Sequence, residues 1–68
     1  MEFIKAVKAY ALQHYNRGGW DYVVECYSDS EIEDIIKTAR TVAGAIRMVR
    51  AHIKPRADYR AEILREAF

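Results

Sequence analysis

Apolar residues recur along this chain at helical intervals. Ile4, Val7, Ala11 and Tyr15 stand at i, i+3, i+7 and i+11, with Phe3, Tyr10 and His14 on an adjoining stripe. Lys5, Lys8 and Gln13 fall mostly away from it. The period predicts an amphipathic helix. Asn16-Arg17-Gly18-Gly19 ends it, because Asn and Gly accept the left-handed conformation of a helix C-cap. The next segment, Trp20 to Tyr27, fits two templates. Trp20, Tyr22, Val24 and Cys26 alternate as in a strand, whereas Trp20, Val23, Val24 and Tyr27 sit at i, i+3, i+4 and i+7. A strand needs a partner and no other segment resembles one, so a helix is expected here.

Ser28-Asp29-Ser30 then punctuates the pattern. Ser30 with Glu33 has the spacing of a capping box, and the acids around it favour the positive end of a helix dipole. Ile32, Ile35, Ile36 and Ala39 form the buried stripe of that helix. Thr41 is the next N-cap, opening a helix through about Ile53 with Val42, Ala45, Ile46, Val49 and Ile53 on one face. Gly44 inside it costs roughly 1 kcal/mol against Ala, which implies close packing by a neighbour such as Trp20. Lys54-Pro55 breaks or kinks the path, and Pro55 suits the first position of a last helix. That helix carries Tyr59, Ile63 and Ala67, flanked by Leu64 and Phe68. The expectation is an all-α fold, a small compact bundle of four to five short helices forming a single domain over 1–68.

Size limits what such a bundle can hold. A chain of 68 residues buries only about 60% of its unfolded surface, which leaves a thin core. Cys26 is the single cysteine, so no intramolecular disulfide can form; it reads as a small buried hydrophobe in a reducing compartment. No apolar run approaches the roughly 20 residues of a membrane span, and Met1-Glu2-Phe3-Ile4-Lys5 lacks a signal-peptide layout. These features lead us to expect a complete cytoplasmic gene product without a membrane partner.

Charge changes the picture. From Asp21 to Asp34 the chain has six acids (Asp21, Glu25, Asp29, Glu31, Glu33, Asp34) and no Lys or Arg. From Lys37 to Arg56 it has six bases (Lys37, Arg40, Arg47, Arg50, Lys54, Arg56) and no acid. The formal net charge of +1 hides this division. Such a molecule either neutralises itself on folding or presents one sign to a partner.

Candidate chemistry is sparse. His14 and His52 belong to no ligand-spaced cluster, and HExxH, CxxC, GxSxG and P-loop patterns are missing. His14 is expected to pack at the end of the first helix and His52 to face solvent. Glu31, Glu33 and Asp34 read as a solvated first helical turn, since neighbouring helical residues point apart. Arg17-Gly18-Gly19 has a weak likeness to an anion-binding nest but is explained by a cap and turn. No catalysis, cofactor, metal or small-molecule substrate is expected.

Two surfaces remain. Arg47, Arg50 and Lys54 share a helix face at i, i+3 and i+7, and Arg40 extends it backwards; such a stripe can track phosphates. The segments Ile32–Ala39 and Thr41 onward also have a faint helix-turn-helix cadence, opposed by a short turn and by the four acids Asp29, Glu31, Glu33 and Asp34 in and just before the first helix. The aromatic residues are the other surface. Trp20, Tyr22, Tyr27, Tyr10, Tyr15 and Tyr59 exceed what one small core buries, with Tyr22 off the main stripe and therefore exposed.

The stretch His14-Tyr15-Asn16-Arg17-Gly18-Gly19-Trp20-Asp21-Tyr22-Val23-Val24-Glu25-Cys26-Tyr27, with Ser30-Glu31-Ile32 and Thr41-Val42-Ala43-Gly44-Ala45-Ile46, resembles short uncharacterised helical proteins of phages and prophages. The resemblance covers about half the chain and transfers no catalytic residue. It implies a small protein that docks on and blocks a host machine, in the manner of anti-CRISPR proteins, with the acid block as a short decoy for a nucleic-acid-binding surface. The expectation is therefore a non-enzymatic protein that occupies the surface of a host protein or complex. Trp20 and Tyr22 would anchor it, and Glu31, Glu33, Asp34, Arg40, Arg47, Arg50 and Lys54 would supply charge. A DNA- or RNA-binding regulator is the alternative, and a homodimer completing its own core is a third possibility.

Overall fold

A computed structural model describes residues 2–67 of the chain. It contains the helices α1 (Glu2–Gln13), α2 (Trp20–Glu25), α3 (Asp29–Ile35) and α4 (Val42–Ala67). Among the described residues no strand occurs, so the molecule is a small all-α bundle. The segment from Trp20 is helical, as its i, i+3, i+7 stripe requires. Trp20 and Val23 are buried, as is Tyr27 just past the helix, but Val24 is exposed.

The helices meet on one shared core. α1 contributes Ile4, Val7 and Ala11; α3 and its C-cap contribute Ile32 and Ile36; α4 contributes Ala45, Val49 and Ile53. Phe3, Tyr10, Ile35, Ala39, Ile46 and Met48 pack around this cluster. Burying these side chains supplies the main stabilisation, each fully buried Ile or Val being worth about 1.5–3 kcal/mol. Tyr15, the last position of the first stripe, lies beyond the end of α1 and is exposed. Val42 is exposed as well, so the buried face of α4 starts at Ala45.

The chain reverses between α1 and α2 through left-handed residues: Asn16 at φ 66°, Gly18 at φ 55° and Gly19 at φ 87°. Gly19 has a second constraint. A Cβ there would stand 2.6 Å from Ala57 Cβ and 3.6 Å from Ile53 Cδ1 of α4. The close glycine contact thus lies here and not at Gly44, where a Cβ would meet only the Thr41 hydroxyl, at 3.1 Å.

Two caps set the later helices. Ser28 caps α3: its Oγ accepts from the Glu31 amide at 3.3 Å, and the Glu31 carboxylate accepts from the Ser28 amide at 3.1 Å. The capping box is therefore Ser28 with Glu31, not Ser30 with Glu33, two residues earlier than expected. Both pairs have the same spacing; the earlier start keeps Ile32 and Ile36 inward. Thr41 caps α4 as predicted, its Oγ1 accepting from the Gly44 amide at 3.0 Å.

Pro55 does not start a new helix. α4 runs through it for 26 residues. Proline removes one backbone hydrogen bond, but contacts on both sides hold the helix: Ile53 is fully buried before it, and Ala57 abuts Gly19 after it. The final turns have fewer neighbours. Tyr59, Ile63 and Leu64 are 66%, 48% and 48% exposed, so the apolar stripe expected there is not buried. Phe68 and the side chain of Ala67 lie outside the described residues.

Gly19→Ala should therefore lower the free energy of unfolding by more than the ~1–2 kcal/mol of a left-handed alanine alone. Gly18→Ala, which has open space around it, should cost only that conformational amount. In urea titrations Ser28→Ala should cost about 1 kcal/mol and Ser30→Ala less than ~0.5 kcal/mol, since one is the cap and the other is an exposed residue within the helix.

Candidate functional site

The expected charge-bearing residues are all at the surface. Arg40 precedes Thr41, while Arg47, Arg50 and Lys54 lie along the solvent side of α4, and all four are exposed. Glu31, Glu33 and Asp34 are exposed on α3. The sorted charges do not cancel each other. Among the described residues the ion pairs are Lys8–Asp29, Lys54–Asp58 and Arg60–Asp21. The acid block draws its cations from outside the basic block, and the one paired member of the basic block, Lys54, uses its i+4 neighbour Asp58 at 2.8 Å. Arg40, Arg47 and Arg50 take part in none of these pairs.

Asp21 is the residue that sequence reasoning missed. Its side chain is only 8% exposed and receives a hydrogen bond from Arg60, reaching across from α4. That hydrogen bond holds the guanidinium above its ordinary proton affinity, with the Coulombic attraction of Asp21 adding to it. Arg60 also sits 5.8 Å from the centre of the Tyr22 ring. An acid in the first turn of α2 was foreseeable from dipole considerations. Its partner, 39 residues away, was not. At the other end of α2, Tyr15 donates to the Glu25 carboxylate, and this bond raises the phenol above its usual range.

The expected aromatic anchors need correction. Trp20 is buried at 4% exposure, with the edge of its ring system meeting Tyr10 at 5.0 Å between centroids, so it serves the core and not a partner. Tyr22 is half-buried beneath Arg60. Cys26 is exposed, contrary to the buried position expected, because α2 ends at Glu25 and turns it outward. His14 does pack at the end of α1, stacked on Tyr10 at 4.1 Å with its Nδ1 2.9 Å from the Tyr10 carbonyl oxygen. His52 is exposed, its ring 5.9 Å from that of Tyr27.

The segment before α4 departs from the helix-turn-helix cadence. α3 ends at Ile35 rather than near Ala39, and the connection to α4 spans 36–41. Between these helices lies an open groove of about 660 Å³, lined by Asp34, Ile35, Thr38, Met48, Ala51 and His52. A second, smaller groove of about 160 Å³ follows the α1–α2 reversal along α4, past Gly19, Tyr22, Ala57 and Leu64. Among the described residues no three His, Cys, Asp or Glu side chains are grouped to hold a metal ion. Among the described residues no helix is long and apolar enough to cross a membrane.

No protein-family model matches the chain, and neither a curated protein nor a solved structure shows significant similarity to it.

The Arg60–Asp21 contact should hold α4 beyond Pro55. Arg60→Ala should speed amide hydrogen exchange at residues 57–64 while leaving residues 45–53 protected. Unchanged exchange would assign the order of that segment to Gly19 and Ala57 alone.

Proposed function

We propose that this chain is a non-enzymatic interaction protein of the phage or mobile-element type, which occupies the surface of a host protein or complex. The observation that carries the reading is the set of bases Arg40, Arg47 and Arg50, exposed and outside the ion pairs formed among the described residues. Charges left over by folding are available for electrostatic complementarity, which governs specificity and encounter rate more than bare affinity. A protein partner is favoured over a nucleic acid by what surrounds them. Glu31, Glu33 and Asp34 are exposed on α3, so the surface as a whole is mixed in sign, which suits a protein partner better than a polyanion. Large apolar side chains such as Leu12, Tyr59 and Ile63 are also exposed, as suits a mixed protein–protein contact. Inhibition would then be steric: a small rigid body covers a working surface of the host machine, in the anti-CRISPR manner.

The nucleic-acid regulator uses the same bases and makes a different prediction. In fluorescence anisotropy with duplex DNA and single-stranded RNA, the protein reading expects no binding even at low salt. Binding that weakens steeply with salt would replace it with the regulator. In capture from host lysate, Arg40→Glu with Arg50→Glu should keep wild-type far-UV dichroism and lose the partner. Capture that survives the double reversal would remove the basic face from the mechanism.

A further inference from the structure

The solvent side of α4 carries its charges in order. At about 100° per residue, Arg47, Arg50, Lys54, Asp58 and Arg65 fall within about 80° of arc. This arc lies away from the buried Ala45, Val49 and Ile53. The remaining residues in it, Ala43 and Ala61, are short, and every member is exposed. Because α4 continues through Pro55 as one helix, the charged stripe extends over about 27 Å from Arg47 to Arg65.

Two properties of the stripe say what fits it. The first is spacing. Arg47, Arg50 and Lys54 rise by about 4.5 and about 6 Å, the i+3 and i+4 steps of any helix. A second helix with acids at the same steps offers one carboxylate to each base. The second property is sign. Asp58 stands between Lys54 and Arg65, and its carboxylate holds Lys54 Nζ at 2.8 Å. Both side chains of that pair stay largely exposed, so each still reaches a partner. A nucleic-acid strand is negative at every phosphate and would set one against Asp58. A protein segment changes sign where its sequence does, and can place a Lys or Arg there.

We infer that the occupant of this face is an acidic helix of the partner protein. Its Asp or Glu residues at i, i+3, i+7 and i+18 meet Arg47, Arg50, Lys54 and Arg65, and a Lys or Arg at i+11 meets Asp58. The inference rests on the protein-partner reading above and specifies the segment that makes the contact. Exposed pairs of this kind are individually weak, so selectivity comes from the pattern as a whole.

Amide chemical-shift titration of the full chain at low salt, with probes up to about 1 mM, tests the inference. The probes are alanine-based peptides of about 24 residues, long enough to be helical alone. They carry this charge pattern in one direction or in reverse. One of the two should shift amides of residues 43–65 along the stripe and leave those of α1 in place. A peptide of the same composition with its charges spread round the helix should bind about fivefold more weakly or worse. Asp58→Lys reads the sign at a single position. The wild type should favour Lys over Glu at i+11 by about threefold, and Asp58→Lys should reverse that preference. Peptides that all fail to bind, or bind without regard to pattern, would overturn the inference alone, because lysate capture dependent on Arg40 and Arg50 would still uphold a protein partner. Duplex DNA that binds the stripe with a steep salt slope would overturn both. Stripe amides that shift on dilution of the chain by itself would give the face to a second copy, and would overturn the acidic helix as well.

Discussion

The contact between Gly19 and α4 is the constraint on which the rest of the molecule depends. Gly19 is left-handed, and its Cα faces Ala57 with no room for a side chain. Both requirements restrict the site to glycine, and together they bring the α1–α2 reversal against α4 just beyond Pro55. Ile53 is buried on one side of that proline, and Arg60 reaches Asp21 on the other. A helix that proline would otherwise interrupt is thereby held as one piece by tertiary contacts. At about 1.5 Å per residue α4 is about 39 Å long, close to the 41 Å length of the whole molecule. The other three helices pack along only part of it, and the final turns are left with exposed apolar residues.

Much of this fold was legible from periodicity. Core positions such as Val7, Val23, Ile32, Ile36, Val49 and Ile53 follow from helical spacing alone, and the Asn16–Gly19 reversal follows from residue chemistry. What periodicity could not settle were choices between local signals of equal strength. Ser28–Glu31 and Ser30–Glu33 have identical spacing, and the choice falls to the packing of the isoleucines behind them. Pro55 is a helix breaker by its own chemistry, and only contacts with residues far away in sequence override it. A close approach was expected at Gly44, and Gly19 was read only as part of a cap, yet the close approach is at Gly19. The difference lay in the left-handed backbone of Gly19, which belongs to the three-dimensional path of the chain.

The candidate site divides in the same way. Exposure of Arg40, Arg47, Arg50, Lys54, Glu31, Glu33 and Asp34 was readable because each lies off an apolar stripe. Trp20 was expected to anchor a partner, an expectation that set aside its place on the Trp20–Val23–Tyr27 stripe; its large ring is consumed by packing on Tyr10. The pairing of charges was not readable. Lys8–Asp29 and Arg60–Asp21 join residues 21 and 39 positions apart, and nothing local marks either. Those two pairs give the charge segregation its meaning. Two of the acids are partnered by bases from outside the basic block, so Arg40, Arg47 and Arg50 remain at the surface outside the ion pairs of the described residues.

The account turns on α4 being a single helix pinned on both sides of Pro55, since the display of Arg47 and Arg50 and the projection of Tyr59 and Ile63 both follow from it. Native-state amide hydrogen exchange along α4, resolved residue by residue, tests this most directly. The account predicts protection continuing from Val49 through the amides of Ala57 to Ala61, then falling toward the C-terminus. Protection that collapses at Lys54 and stays low would mean two separate helices, and would contradict it.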